Sequence, residues 1–423
     1  MRKVAADIIY HYQTKQSYLN IELNAALEKT PLSREDKDLI TRIVYGTVQN
    51  EIYLMYQLEP FIHGKIKAYE RAVLLISFYQ LIFLTKIPTY AVCNEAVDMI
   101  KKKYGMQRSK LMNAILRNFI RQGVRPIEAK DELDYLSIET STPLWLVKLL
   151  NKQLGKEKAV QICHSYLEKP SLAGRVNTLK ASRDEILAEY PIFKAGNLSE
   201  DAILFEKGNI AHHELFKSGK VTIQDESSQL VARFLNPKEN SYVLDMCSAP
   251  GSKTTHLSAL MNNTGKIEAY DIHEHKIQLI EMNAERLGAL NITAHAMDST
   301  QLRAVYPDET FDYLLLDAPC SGLGVVARKP EIKYQAPDSM DGIITLQRQL
   351  LEVAYYLLKT GGTMVYSTCT INKKENQMQM ESFMKLHPNM RCVKEQLILP
   401  YEYHSDGFYM CKLTKGADNE SNL

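Results

Sequence analysis

In the second half of the chain, short apolar runs alternate with helical patterns, and this alternation constrains the fold more than any other feature. From about Val221 onward, each apolar run is followed by a turn and then by apolar residues at helical spacing. Strands that alternate with helices form parallel, doubly wound α/β sheets. The predicted strands are Tyr242–Met246, Ile267–Asp271, Ile292–Ala296, Tyr313–Asp317 and Thr363–Ser367.

A loop of small residues follows the first of these strands, where ligands bind in sheets of this kind. Small residues let backbone amides approach a ligand, and the helix that opens after the loop favours negative charge at its amino end. The loop is neither a Gly-x-Gly-x-x-Gly fingerprint nor a phosphate loop ending in Lys-Ser/Thr. It therefore favours S-adenosylmethionine (SAM), which has no phosphate, over nucleotides that carry pyrophosphate. The loop consists of Cys247, Ser248, Ala249, Pro250, Gly251, Ser252 and Lys253.

Acidic residues end four successive strands of the predicted sheet, at Asp245, Asp271, Asp298 and Asp317. Asp271 follows Gly251 by twenty positions, a spacing at which a carboxylate suits the two hydroxyls of a ribose. Asp298 is placed to accept a hydrogen bond from an adenine amino group. Single acids often cap strands and turns, but four in succession favour a cofactor pocket.

Two cysteines follow later strands of the same sheet: Cys320 comes just past the fourth strand and Cys369 just past the fifth. Parallel topology brings both thiols to one cleft. Carbon 5 of cytosine is too weak a nucleophile to take a methyl group from a sulfonium, and thiolate addition at carbon 6 activates it. The target base must also leave its stack to be reached. The pair therefore indicates cytosine-C5 methylation, and spacing alone leaves open which thiol attacks.

The remaining cysteines suit the ordinary role of a small buried hydrophobe. The chain has seven cysteines and no Cys-x-x-Cys pair, which argues against a zinc site or a disulfide framework and for reduced thiols in the cytosol. No metal is expected. Besides the loop cysteine and the two strand-end thiols, the cysteines are Cys93, Cys163, Cys392 and Cys411.

The first part of the chain has helical periodicity and no residues of catalytic type. Ser33 begins a capping box ahead of an apolar helix face. Between Asp98 and Glu128 there is no acid, although the formal net charge of the whole chain is only +1. Such an interval is either a solvated helix face or a surface that follows RNA phosphates. Its basic residues are Lys101, Lys102, Lys103, Arg108, Lys110, Arg117, Arg121 and Arg125.

These patterns divide the chain into four parts. We predict an all-α RNA-binding domain at 1–127, a linker with a small α/β subdomain at 128–217, the sheet domain at 218–416 and a polar tail at 417–423. The longest apolar stretch, 72–85, is too short to span a bilayer. No secretory signal is visible at the start of the sequence, so we expect a cytoplasmic protein.

With these residues in place, the chain resembles the RsmB (Fmu/Sun) family of bacterial 16S rRNA cytosine-C5 methyltransferases over nearly its whole length. Its helical part is similar to the antitermination factor NusB. The most specific matches are the loop 247–253, Asp317-Ala318-Pro319-Cys320-Ser321-Gly322, and Thr368-Cys369-Thr370 followed by Glu375-Asn376. Further matching pieces are Val44-Tyr45-Gly46, Tyr79-Gln80-Leu81, Asn94-Glu95-Ala96-Val97, Asn113-Ala114-Ile115-Leu116-Arg117, Arg175-Val176-Asn177-Thr178, Gln224-Asp225-Glu226-Ser227-Ser228-Gln229 and Gly407-Phe408.

The resemblance implies a Rossmann-like SAM-methyltransferase domain and a role for each matching residue. Cys369 would be the attacking thiol, and Cys320 would assist release of the methylated product. The loop 247–253 with Asp271, Asp298 and Asp317 would hold SAM, and Asp317 with Lys253 would also face the base. The NusB-like part would dock on RNA through the basic cluster, and Arg175 is counted among the RNA-binding residues.

The chain departs from the family pattern at three positions and leaves other functions open. Ser252 replaces a second glycine, while Ala327 and Tyr334 stand where arginine and tryptophan are common. The expected substrate is 16S rRNA, free or in a partly assembled small subunit, and the expected state is a monomer. Alternatives are the same chemistry on tRNA or another rRNA site, and a non-catalytic ribosome-assembly factor. An amino-group methyltransferase is disfavoured because Pro319-Cys320 replaces an Asn/Asp-Pro-Pro-Phe/Tyr motif.

Overall fold

The computed structural model describes residues 1–15, 19–205 and 210–417, so most of the predicted polar tail lies outside the described residues. The chain forms two compact units. The helical unit comprises Met1–Leu167 and Lys329–Gln335, and the sheet unit comprises Glu168–Arg328 and Ala336–Leu423. The helical unit thus extends past residue 127, where we predict the end of the all-α domain.

The described part of the helical unit is all α. Its helices are α1 (Arg2–Lys15), α2 (Leu19–Lys29), α3 (Arg34–Gln49), α4 (Glu51–Leu58), α5 (Ala68–Phe83), α6 (Thr89–Tyr104), α7 (Met106–Gln122), α8 (Glu132–Glu139), α9 (Leu144–Leu154) and α10 (Lys156–Ser165). As the capping pattern predicts, Ser33 accepts a hydrogen bond from the amide of Asp36 at the start of α3.

Helix α5 is apolar on nearly every side because it lies in the centre of this unit. The Phe78 ring of α5 lies 4.3 Å, centroid to centroid, from the Phe119 ring of α7. A β-carbon at Gly46 would lie 2.0 Å from Cζ of Tyr79, so α3 needs glycine where the tyrosine ring packs. The NusB-like segments around these two residues therefore pack against each other.

The segment Lys329–Gln335 belongs to the helical unit although it is distant in sequence. Lys333 is fully buried, and its Nζ donates to the carbonyl of Gln49 at 2.7 Å. The hydroxyl of Tyr334 donates to the carbonyl of Val48 at 2.9 Å. Tyr334 therefore serves packing within this unit, and its difference from the family tryptophan bears on packing rather than on RNA contacts.

The sheet unit contains a small antiparallel sheet and a large one. The small sheet has the order β2-β3-β1-β4, with β1 Leu172–Val176, β2 Lys194–Ala195, β3 Ala202–Phe205 and β4 Val221–Ile223. Helices α11 (Arg183–Glu189) and α12 (Glu214–Lys217) accompany this sheet, and its strand β4 lies beyond residue 217, where we predict the end of the small α/β subdomain.

The large sheet has seven strands in the order β10-β11-β9-β8-β5-β6-β7. Strands β5 to β9 are parallel, whereas β10 and β11 are antiparallel additions at one edge. All five predicted strands are present, which confirms the doubly wound sheet. The strands are β5 Tyr242–Asp245, β6 Lys266–Asp271, β7 Ile292–Ala296, β8 Phe311–Asp317, β9 Leu358–Thr368, β10 Met390–Ile398 and β11 Phe408–Lys415.

Five helices complete the sheet unit: α13 (Glu226–Leu235), α14 (Ser252–Leu260), α15 (Glu274–Leu287), α16 (Ser339–Leu357) and α17 (Gln377–Leu386). The strand order reverses between β5 and β8, which places the topological switch point, where ligands bind in such folds, at the carboxyl ends of these two strands. Among the described residues, no helix is long and apolar enough to cross a membrane.

Candidate active site

The predicted cofactor loop connects β5 to α14 at the switch point. Gly251 has φ +92°, and a β-carbon there would lie 3.1 Å from Cα of Ile280, so glycine allows both the turn and the close approach of α15. The amide of Ser248 donates to the carbonyl of Tyr270 at 2.8 Å. Asn283 holds the other side of the loop, because its Nδ2 donates to the carbonyl of Pro250 at 2.8 Å. The loop is therefore fixed between β6 and α15.

Two of the strand-end acids have the geometry expected of cofactor ligands. Asp271 accepts the amide of His273 on Oδ1, and Asp298 accepts the amide of Thr300 on Oδ1. In the part of the chain that the structure describes, Oδ2 of neither carboxylate has a hydrogen-bond partner. Such oxygens can accept from ribose hydroxyls and from an adenine amino group, so the residues present fit SAM.

Asp245 differs from the other strand-end acids because it is fully buried. Its Oδ2 accepts the hydroxyl of Thr254 at 2.7 Å, and burial raises the pKa of this carboxyl to about 7. It therefore supports the first turn of α14 from inside. Cys247 lies nearby, and burial together with the neighbouring carboxylates raises the pKa of its thiol well above the ordinary value, which keeps the thiol protonated.

The two strand-end cysteines meet, as the topology predicts. The sulfurs of Cys320 and Cys369 lie 3.3 Å apart, and both side chains are half-buried. Nζ of Lys253 donates to Oδ2 of Asp317 at 2.7 Å, and the hydroxyl of Ser367 donates to Oδ1 at 2.8 Å. The loop after β5 and the ends of β8 and β9 therefore bring two thiols, a carboxylate and an ammonium group together.

The electrostatics distinguish the two thiols. A hydrogen bond from Cys320 and the positive charge of Lys253 lower the pKa of Cys369, despite its burial and the nearby Asp317. The same hydrogen bond, together with burial, raises the pKa of Cys320 well above the ordinary value. The ammonium of Lys253 stays charged, because Asp317 raises its pKa against the effect of burial. The electrostatics therefore favour Cys369 over Cys320 as the thiolate.

The sequence did not reveal the role of Glu375, which is fully buried. Its Oε2 accepts the amide of Ser321 at 2.8 Å, and its Oε1 accepts the hydroxyl of Ser321 at 2.5 Å. It thus connects the loop that follows β9 to the loop that carries Cys320. The only sequence signal was its place in the motif that follows Cys369.

Arg175 is not an RNA-binding residue, because it lies in β1 with only 1% of its surface exposed. Its guanidinium donates to the side chain of Gln224 at 2.6 Å, to the carbonyl of Ser252, and to Thr255 at 3.1 Å. It therefore connects the small sheet to the first turn of α14. A lone arginine between apolar neighbours in a strand was the signal for such a buried partner.

The remaining predicted RNA-binding residues lie on α6 and α7. Arg108 forms an ion pair with Glu70, which offsets its charge. Nζ of Lys103 lies 4.5 Å from the ring centroid of Tyr69. Lys103 is nevertheless exposed, as are Lys101, Lys102, Lys110 and Arg117. The basic interval thus contains an exposed cationic surface.

Models of three protein families match successive parts of the chain. The NusB family matches residues 1–121, the ferredoxin-like domain of RsmF/B-like methyltransferases matches 142–208, and the family described as 16S rRNA methyltransferase RsmB/F matches 232–414. The ferredoxin-like match includes β1 to β3 of the small sheet.

Full-length relatives and solved structures agree with these matches. The chain is 39% identical to the probable ribosomal RNA small subunit methyltransferase B of Bacillus subtilis, over 98% of both chains. It is 31% identical to the ribosomal RNA small subunit methyltransferase B of Shewanella oneidensis, over 99% of both. A crystal structure described as PH0851 has the same fold, with a TM-score of 0.83, 24% identity and coverage of 97% of this chain and 98% of that one. NSun6 from Pyrococcus horikoshii, solved with SFG, has a TM-score of 0.60 at 23% identity, over 64% of this chain and 98% of its own.

The motif resemblance is thus confirmed by three family models that match successive segments of the chain and by relatives aligned over nearly its whole length. The chain belongs to the RsmB family of SAM-dependent methyltransferases that act on RNA of the small ribosomal subunit.

Proposed function

We propose that this protein methylates carbon 5 of a cytosine in 16S rRNA through a transient bond between Sγ of Cys369 and carbon 6 of the base. The observation that carries the proposal is the pair of half-buried sulfurs 3.3 Å apart at the strand ends beside the cofactor loop. A purely RNA-binding protein has no need of an activated thiol with an S–H donor at this distance.

Each residue of the site has a defined part in this chemistry. Lys253 and Cys320 stabilise the thiolate of Cys369, which adds to carbon 6 and makes carbon 5 nucleophilic. Asp317, held by Lys253 and Ser367, can accept a hydrogen bond from the base and so orient it. The loop 247–253 with Asp271 and Asp298 would hold SAM, which would supply an electrophilic methyl group.

Release of the product requires the carbon–sulfur bond to break. After carbon 5 has gained the methyl group, a water molecule takes up the carbon 5 proton and the C–H electron pair forms the double bond between carbons 5 and 6. The sulfur of Cys369 then leaves with the bonding pair as a thiolate. The S–H of Cys320 is placed to stabilise this leaving thiolate. An S–H donor at this distance supports elimination without itself bonding to the base.

RNA binding is proposed for the exposed cationic residues of the helical unit. Lys101, Lys102, Lys110 and Arg117 carry charge that a phosphate backbone can neutralise with release of counterions. Replacing them with glutamine should weaken binding of 16S rRNA and reduce its dependence on salt concentration. A protein with this substrate works where ribosomes assemble, in the cytoplasm, and we propose that it works as a monomer.

The decisive experiment maps 5-methylcytosine in RNA from a strain that lacks this protein. One cytosine of 16S rRNA should lose its methyl group and regain it when the wild-type protein, but not Cys369→Ala, is supplied. Profiling tRNA and 23S rRNA in the same strain separates the alternative substrates. A 16S rRNA with unchanged 5-methylcytosine would contradict the proposed substrate, and full rescue by Cys369→Ala would contradict the mechanism.

A further inference from the structure

The loop that carries Cys320 is held by side chains from two other elements. Both oxygens of Glu375 are engaged by Ser321, through its hydroxyl and its backbone amide. On the other side of the cysteine, Nε2 of Gln347 in α16 donates to the carbonyl of Pro319 at 2.8 Å. The residues before and after Cys320 are thus both anchored.

Glu375 joins these anchors into one network. Its Oε1 also accepts Nδ2 of Asn372 at 2.9 Å, and its Oε2 accepts Nε2 of Gln347 at 3.2 Å. The hydroxyl of Tyr366 in β9 donates to its backbone carbonyl at 2.7 Å. A fully buried carboxylate that accepts four hydrogen bonds is costly to disturb, because each of the four donors would lose one of its acceptors.

The loop that carries Cys369 is fixed to the same network. The hydroxyl of Thr370 lies 2.9 Å from that of Ser321. The amide of Gly324 donates to the carbonyl of Cys369 at 3.0 Å. The 3.3 Å between the two sulfurs therefore depends on two loops whose shared buried anchor is Glu375.

We propose that Glu375 is a positioning residue that holds Cys320 against Cys369, and that it thereby controls release of the covalent RNA intermediate. This inference rests on the proposed function, since it assigns a cause to the placement of the release donor. Glu375 acts through Ser321 and does not contact the base. Without it, attack by Cys369 should be affected less than release.

The position of the thiols can be measured without RNA. The reagent diamide oxidises two adjacent thiols to a disulfide, and its N=N bond takes up the two hydrogens. In Glu375→Gln, the new amide nitrogen would face an N–H donor in either orientation, the amide of Ser321 or Nδ2 of Asn372, and the loop should shift. We expect the Cys320–Cys369 disulfide to form about 10- to 100-fold more slowly than in the wild type, as a displacement of about 1 Å implies.

The chain contains its own reference for this measurement. Cys392 and Cys411 lie 3.5 Å apart on β10 and β11, and their disulfide should form at the wild-type rate in every variant. Glu268→Gln is the matched control, because Glu268 is also buried but bonds Tyr242 and His295. Ser321→Ala, which removes one bond to Glu375 and keeps the other, should give an intermediate rate. Wild-type rates for Cys320–Cys369 in both Glu375→Gln and Ser321→Ala would overturn the positioning role.

The second readout is the RNA–protein adduct, resolved by denaturing electrophoresis. Glu375→Gln should accumulate adduct as Cys320→Ala does, while its affinity for SAM stays near the wild-type value. A slow disulfide with no adduct in either variant would leave the positioning role in place and contradict release by Cys320. Adduct in Cys320→Ala but none in Glu375→Gln would overturn the inference and leave the proposed function standing.

Discussion

Two pairs of cysteines in the sheet unit have nearly the same geometry and different surroundings. The active-site pair, Cys320 and Cys369, has its sulfurs 3.3 Å apart, and the strand pair, Cys392 and Cys411, has them 3.5 Å apart. Lys253 lowers the pKa of Cys369 beyond the effect of its partner thiol. In the strand pair, burial, the neighbouring thiol and Glu395 all raise the pKa of Cys411.

The difference shows that a short distance between two sulfurs does not by itself make either cysteine a nucleophile. A thiolate needs a nearby positive charge and donors that compensate for burial. The active-site pair has both because it lies where the loop after β5 and two strand ends converge. The strand pair lies on the antiparallel strands β10 and β11, where Cys411 is buried in the core but Cys392 is exposed, contrary to its predicted role as a buried hydrophobe. Mutations in the active-site pair should therefore reduce activity more than stability, and mutation of Cys411 should reduce stability more than activity.

The largest expected effect is on catalysis. Cys369→Ala should reduce 5-methylcytosine formation by about 10³-fold or more, because no other group can form the bond to carbon 6. Cys411→Ala should retain activity near the wild-type level. Incorporation of labelled methyl groups into 16S rRNA measures both. Equal losses in the two variants would break the distinction between the pairs.

Next in size is the effect on product release. Cys320→Ala should lower turnover by about 10²-fold and leave a covalent adduct, because the departing thiolate of Cys369 loses its S–H donor. The matched variant Cys392→Ala should form no adduct. Denaturing electrophoresis of labelled RNA after one turnover shows the difference. Fast turnover without adduct in Cys320→Ala would mean that Cys320 takes no part in release.

A smaller effect concerns the titration of Cys369. Lys253 favours the thiolate and lowers the pKa of Cys369, so Lys253→Met should raise that pKa. Because the thiolate is the reactive form, alkylation of Cys369 by iodoacetamide at pH 7 should fall about tenfold, and its pH profile should move to higher pH. Alkylation of Cys392 supplies the control within the same sample. An unshifted pH profile for alkylation of Cys369 would mean that Lys253 does not activate this thiol.

The smallest effect is on stability. Here the variant in the strand pair should lose more than the variant in the active-site pair. Cys411 is fully buried, so Cys411→Ala should lower the free energy of unfolding by about 1 kcal/mol. Cys369→Ala, in a half-buried site, should change it by less than about 0.5 kcal/mol. Urea unfolding followed by circular dichroism measures both values. A larger loss of unfolding free energy in Cys369→Ala than in Cys411→Ala would mean that the active-site pair mainly stabilises the fold.

The strands of the large sheet could be predicted because each apolar run is short, ends in a turn and is followed by a helical pattern. The meeting of Cys320 and Cys369 followed from parallel topology. Spacing could not show which of the two thiols is the nucleophile, because that depends on Lys253, which lies in the loop after a different strand, β5. The sequence shows that a lysine follows the cofactor loop, but not which carboxylate and thiol it reaches.

Arg175 and Tyr334 are residues whose surroundings could not be predicted from the sequence. The sequence predicts an RNA contact for Arg175, and for Tyr334 it shows only a departure from the family tryptophan. Their positions are decided by partners far along the chain, Ser252 and Thr255 for the arginine and Val48 for the tyrosine. A local pattern shows that a basic side chain is present, whereas only the packed fold shows whether water or protein surrounds it.

Because Lys329–Gln335 belongs to the helical unit, no single cut in the chain separates the two units, either in an experiment or in a comparison of their evolution. A fragment that stops at Leu167 would lose the lysine that reaches Gln49, and a fragment that starts at Glu168 would carry that cation without its burial site. Neither fragment would therefore correspond to a complete structural unit. An end-to-end fusion of a helical protein and a sheet protein would not by itself explain this arrangement, because the peptide lies within the sequence of the sheet unit and belongs to the helical unit.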